Sequence, residues 1–353
     1  MKYRIKHLVI GLALLMLSTL NPQFTTVFAQ GSLTPPGAPA PTMKTLDQIE
    51  ARTAITNTAS LVTISQPGSY YLTHNLTVST GDGIDINTND VTLDLNGFTI
   101  RSTAVSATGT GILLNNGGSD LTIGNGHIRG VGTNNSSGVF SGGGFAYGIK
   151  TSGAVPENVL VSRISVSGCL FDGISLSGQN STVVEACTVR TVGGYGIIAS
   201  TVKSCSAFDC GNTAIDGDEV SDCRGQSSGG GDGVDGTTAQ NCCGTSTSGK
   251  GVSANIAQNC YGTSTDGDGV SADTAQNCYG VSTSDIGVLI YTAQNCYGVS
   301  NGNNEGLNAV YIASGSYGFS QTGTGLFSLI ANVCHGGSAT GTALITSHNV
   351  NSY

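Results

Sequence analysis

One word, Ala-Gln-Asn-Cys, stands at 239–242, 257–260, 275–278 and 293–296, so that its copies follow one another at a constant interval. A unit this short cannot bury a core alone, so a fixed period of this kind marks a solenoid in which each repeat is one coil stacked on its neighbour. The cysteines carry the period further. Cys187, Cys205, Cys223, Cys242, Cys260, Cys278, Cys296 and Cys334 keep the same spacing to within one position until the last interval, which is about double, and Ser316 fills that gap.

A second column keeps step with the first, as a small residue before an aliphatic one: Gly196-Ile197, Ala214-Ile215, Gly233-Val234, Gly251-Val252, Gly269-Val270, Gly287-Val288, Gly306-Leu307, Gly325-Leu326 and Ala343-Leu344. Upstream it continues through Gly83-Ile84, Gly111-Ile112, Gly148-Ile149 and Gly173-Ile174 at wider intervals, so the coils shorten along the chain, from the span 84–111 to spans such as 252–269. Glycine supplies 53 of 353 residues, only 10% are charged, and helix-forming stretches are almost absent, a composition that suits stacked strands. Val91-Thr92-Leu93-Asp94-Leu95 alternates apolar and polar, as a strand with one buried face does. An all-β single-stranded rod of about 12 coils, ~60 Å long at ~4.8 Å per coil, is expected.

Residues 1–29 read as a secretory signal: Lys2, Arg4 and Lys6 precede an apolar run from Leu8 to Leu20, and Val27-Phe28-Ala29 suits a signal peptidase. The run is too short for a membrane span. Its removal takes away those three basic residues and moves the net charge from −9 to −12, a poor basis for binding nucleic acid. Residues 30–44 form a Pro-rich tether. The β-helix is expected over 45–353, opened by a short capping helix in which Thr45 and Gln48 have capping-box spacing. The polar end, His348 to Tyr353, offers no equivalent cap.

The short coil could also be divided into three hexapeptides, but dividing Ala257 to Thr274 that way aligns Ala257, Thr263 and Gly269, none a large aliphatic residue. The alternative, a Val or Ala followed by Cys three positions later and then Gly-Ile, resembles the right-handed parallel β-helix of the pectate-lyase-like superfamily. Thr63-Ile64-Ser65-Gln66-Pro67-Gly68-Ser69-Tyr70-Tyr71-Leu72 and Val91-Thr92-Leu93-Asp94-Leu95-Asn96-Gly97-Phe98-Thr99-Ile100 are similar to the first coils of bacterial secreted right-handed β-helix repeat proteins. The likeness spans the whole mature chain. It implies fold and export, and it lends no catalytic residues.

Three columns invite functional readings. The cysteines are expected to be buried thiols, because stacked rungs ~4.8 Å apart hold equivalent Cβ atoms beyond the ~3.8 Å of a disulfide. No metal site is expected of a one-dimensional column without a Cys-x-x-Cys pair. Tyr261, Tyr279, Tyr297 and Tyr317, with His335 next, offer an outward aromatic platform for sugar rings, set against mutual stacking that merely covers a turn. Thr245-Ser246-Thr247 and Thr263-Ser264-Thr265 suggest an ice-binding array, but Val281 and Val299 soon replace the first threonine, which leaves turn residues as the plainer reading.

Catalysis, if any, belongs on the wide coils. His127 and Arg129 share an outward face, since Ile128 between them suits the core, and Arg101 follows Ile100 as Arg129 follows Ile128. The Gly-, Ser- and Asn-rich insertion Val131 to Ala146 should protrude beside them. Two guanidinium groups near Asp90, Asp94 or Asp172 would suit an acidic sugar, with calcium as the one ion such chemistry would use. Hydrolases on this scaffold need carboxylates paired on adjacent rungs. Asp216-Gly217-Asp218, Asp232-Gly233 and Asp266-Gly267-Asp268 read as turn formers first and calcium loops second. The expectation is an exported structural or carbohydrate-binding element without cofactor, whose partner is a polysaccharide or cell-surface component. A polysaccharide lyase or glycoside hydrolase using Arg101, His127 and Arg129 is the alternative, and ice binding a remote one.

Overall fold

Each narrow coil holds two strands and two bends, and the repeated word accounts for both. In one coil Val252–Gln258 runs out, Asn259 turns the chain, and Tyr261–Ser264 returns. Asn259 has φ of 54°, in the left-handed region that asparagine tolerates better than most residues. One residue per coil repeats this geometry along the chain, among them Asn96, Asn125, Arg163, Ala186, Asp222, Asn277, Gly315, Val333 and Asn351. The asparagines are also tied to one another: Asn259 Nδ2 donates to Asn241 Oδ1 and Asn277 Nδ2 to Asn259 Oδ1, both at 3.1 Å.

The next residue turns inward. Cys205 Sγ donates to the carbonyls of Lys203 (3.2 Å) and Val184 (3.4 Å) and accepts the N–H of Cys187 (3.4 Å). Ser316 takes the same place, accepting the N–H of Cys296 at 3.1 Å, and Ser352 accepts that of Cys334 at 3.0 Å. All eleven cysteines are free thiols, and only Cys243 is not buried. Burial, with Asp172 adding to it, pushes the Cys169 thiol up to about 12. A buried serine column closes the second bend: Ser264 Oγ donates to the carbonyl of Gly249 (2.5 Å) and accepts the N–H of Gly267 (3.0 Å). The glycines mark where backbones touch, since a Cβ on Gly262 would stand 1.9 Å from the carbonyl oxygen of Gly269.

The computed structural model describes residues 50–116, 118–178 and 181–353. The expected signal and tether lie outside these residues, as does the expected capping helix except for 50–52, which carry no helical turn. Among the described residues the chain is all β, a parallel solenoid. The aliphatic column starting at Val62 passes through thirteen parallel pairings, by way of Ile84, Ile112, Ile149, Ile174 and Ile197, to Leu344.

The wide coils have three sides. Ser119–Arg129 serves two of them, pairing Leu121 to Gly124 with Val91–Asp94 and His127 to Arg129 with Thr99 to Arg101. In Ile197–Lys203 the other two sides join: Ile197 pairs back to Ile174 while Thr201 pairs back to Val183. That merger removes a turn and shortens the coil to the period of the cysteine column. The insertion after Arg129 forms a small antiparallel hairpin of Thr133–Asn134 and Phe140–Ser141. Instead of standing away from the rod it lies along later coils: Asn134 Nδ2 donates to Asp209 Oδ1 at 2.5 Å, and the Phe140 side chain covers Gly193 and Gly211.

Candidate functional site

Parallel pairing places the residues singled out above on one outer face. The column His127, Ser165, Thr188, Ser206, Arg224, Cys243 runs directly into Tyr261, Tyr279, Tyr297, Tyr317 and His335. Two positions further along each strand lies a second column, Thr77, Arg101, Arg129, Ser167, Arg190 and Phe208. Neither contains a carboxylate. Arg101, Arg129, Arg190 and Arg224 are all exposed. Arg101 and Arg129 sit on neighbouring rungs, ~4.8 Å apart along the stack, and make no ion pair among the described residues. Arg224 lies over the Phe208 ring at 5.4 Å, which fixes it without neutralising it.

The expected trio divides between two depressions. Arg101 and Arg129 line a cavity of about 470 Å³ with Asn75, Thr77, Thr99, Gly130 and Val131. His127 lines another of about 380 Å³ with Arg163, whose Nε donates to Asn125 Oδ1 at 2.6 Å. The carboxylates considered as partners are engaged elsewhere. Asp94 pairs with Arg52 at 2.9 Å, and Asp172 accepts the N–H of Tyr195 at 3.0 Å. Neither these nor Asp90 lines the arginine cavity, which therefore offers cationic donors and hydroxyls but no carboxylate base.

The tyrosine column is a continuous stack. Ring centroids are 5.2 Å apart from Tyr261 to Tyr279, 4.9 Å to Tyr297, 4.7 Å to Tyr317 and 5.2 Å to His335. The faces cover each other, with Tyr261 and Tyr297 exposed and Tyr279 and Tyr317 half-buried. Such pairs contribute about 0.5–1.5 kcal/mol each beyond area burial.

The long-strand face is different in character. Asp216 and Asp235 are register partners on adjacent rungs, and with Asp218 and Asn255 they line a cavity of about 370 Å³. Burial first, then Asp235, Asp218 and Asp232, raises the Asp216 carboxyl to about 6. A carboxyl that gains and loses its proton closer to neutrality than an ordinary aspartate, beside a second carboxylate, is a pairing suited to general acid–base chemistry. The signal for it was present in sequence: Asp216 and Asp235 each directly follow the aliphatic member of the second column, in Ile215 and Val234, and so repeat at that column's own spacing. Among the described residues no group of three or more His, Cys, Asp or Glu side chains is arranged to hold a metal ion.

No protein-family model and no curated protein sequence matches the chain. Among solved structures it is similar to the enzymatically active domain of tailspike protein 2 of bacteriophage CBA120, at 11% identity and a TM-score of 0.26. That match covers 82% of this chain and 39% of the tailspike chain.

Proposed function

We propose that this chain is an exported right-handed β-helix, of the pectate-lyase-like kind, that binds an acidic polysaccharide or similar anionic surface polymer without catalysis. The observation that carries the reading is the row of Arg101, Arg129 and Arg190, with Arg224 beside it, in two columns that contain no carboxylate, in a chain of net charge −9. Guanidinium groups at multiples of the rung spacing meet successive carboxylates of a polymer lying along the rod, and each can grip one bidentately. The right hand is supported by the poor fit of the coil to hexapeptides and by the resemblance of its Cys and Gly-Ile pattern to right-handed β-helices. Export rests on the leader-like residues 1–29.

Retention on polygalacturonate and alginate, compared with neutral glucans, tests the reading. Binding to the acidic polymers that weakens with salt and is lost in the Arg101→Gln/Arg129→Gln/Arg190→Gln variant supports it. Full retention of the acidic polymers by the triple variant rejects it. Glycoside hydrolysis is a second reading, favoured by the adjacent-rung pair Asp216 and Asp235. Release of reducing ends from any polymer, abolished in Asp216→Asn, would move it to first place.

A further inference from the structure

Where the long-strand face leaves its acidic rungs, it forms a cavity of about 350 Å³ with two unlike sides. Its floor is made of small residues, Ala254 and Ala272, register partners on adjacent rungs. Its apolar wall is Tyr291, 48% exposed, flanked by Leu289. One face of the Tyr291 ring is covered by Tyr311, stacked at 5.6 Å and 29°, and Tyr311 does not line the cavity. The ring is thus held upright with its other face free.

On the rungs before the ring, in its own column, stand hydrogen-bonding groups, Asp273 one rung back and Asn255 two. Asn255 and Asp273 are exposed and make no side-chain hydrogen bond among the described residues, and Asp235 closes the far end. Lys250 is held in place by Nζ donating to Ser271 Oγ at 3.0 Å. An aromatic face on one side and unengaged amide and carboxylate groups on the other fit a ring with an apolar face and a rim of hydroxyls. The lining carries Asp235 and Asp273 against the single cation Lys250, and the next cavity adds Asp216 and Asp218. This disfavours an anionic sugar.

We infer that this cavity binds a neutral pyranose, its C–H face on Tyr291 and its hydroxyls on Asn255 and Asp273. The site is separate from the arginine row and does not depend on it. Asp235 and Asn255 line both this cavity and the one holding Asp216, so a sugar in an adjoining position along a chain would lie over the acidic pair.

The test is saturation-transfer NMR on the full chain with methyl glycosides of glucose, galactose and mannose, and glucuronic acid for comparison, each at about 10 mM, enough to occupy a site of millimolar Kd. At least one neutral glycoside should receive saturation at its ring C–H protons, and glucuronic acid much less. Tyr291→Leu should weaken that binding tenfold or more while the chain stays folded, with only a small fall in thermal midpoint from the lost stack on Tyr311, since Tyr291 is exposed and Leu329 lies two rungs on in the same outward row. Asp273→Asn should also weaken it, while Arg101→Gln/Arg129→Gln should leave it intact. Absence of transfer to all three neutral glycosides, or binding unaltered in both Tyr291→Leu and Asp273→Asn, would overturn the inference and leave the polyanion reading untouched.

Discussion

At the scale of single residues, the left-handed bend in each coil sets the clearest demand. Asparagine meets it cheaply, but Val333 occupies the same bend with φ of 51° and its side chain 62% exposed. A β-branched residue there costs ~1–2 kcal/mol that no buried contact offsets. Val333→Asn should therefore stabilise the chain by about 1 kcal/mol, read as a higher midpoint in guanidinium unfolding; a lower midpoint would show that the bend is not strained. The Asp216 carboxyl makes the opposite kind of demand. Its pKa is higher folded, at about 6, than the ~3.9 expected of the unfolded chain. Its contribution is therefore complete below pH ~3.9 and is lost as pH rises through 6. Asp268, raised to about 6 by burial and by Asp285, acts in the same direction. Thermal midpoints should fall between pH 4 and 7, and Asp216→Asn should flatten that slope.

At the scale of the element, the ladders stabilise by completing hydrogen bonds as well as by packing. Cys205 Sγ accepts the Cys187 N–H and shares its one proton between two carbonyls; Ser316 and Ser352 accept the equivalent N–H and donate to one carbonyl each. Cys205→Ser should cost less than about 1 kcal/mol, whereas Cys205→Ala leaves a buried N–H without its acceptor and should cost ~1–3 kcal/mol more. Parallel chemical denaturation of the two variants separates a hydrogen-bonding ladder from a merely apolar one. Much of this was legible beforehand: the Cys and Gly-Val columns gave the coil length, the buried thiols and the stand-in role of Ser316, because stacking repeats whatever one coil needs. The hairpin's course was not legible, since Phe140 finds its place over Gly193 and Gly211, several coils downstream. Nor was the unity of the face. His127 and Tyr261 share a column only because the third side of the wide coils persists as the short strand of the narrow ones, and unequal coil lengths hide that continuity.

At the scale of the molecule, charge and stability are both distributed along one axis. The arginine row occupies the wide end and the aromatic stack the narrow end of the same face, so an anionic polymer would be gripped where the guanidinium groups lie. The narrow repeats lengthen the rod without forming that grip. Each narrow coil buries little more than one valine, one alanine and one cysteine and contacts only the coils above and below, so its contribution is nearly independent of the rest. Residues 257–274 make one complete turn, and their removal would join Ile256 to Ala275, which the register already treats as the residue following the Ile256 equivalent, Thr274. The shortened chain should keep the β-sheet circular dichroism of the parent and its retention on polygalacturonate, with one ring fewer in the tyrosine stack. Deleting only 257–265 removes half a coil, puts every later column on the wrong side of the rod, and should abolish cooperative unfolding. If the whole-coil deletion lost its fold as the half-coil deletion should, the coils would be interlocked across several rungs and the near-additive picture of the stack would fail.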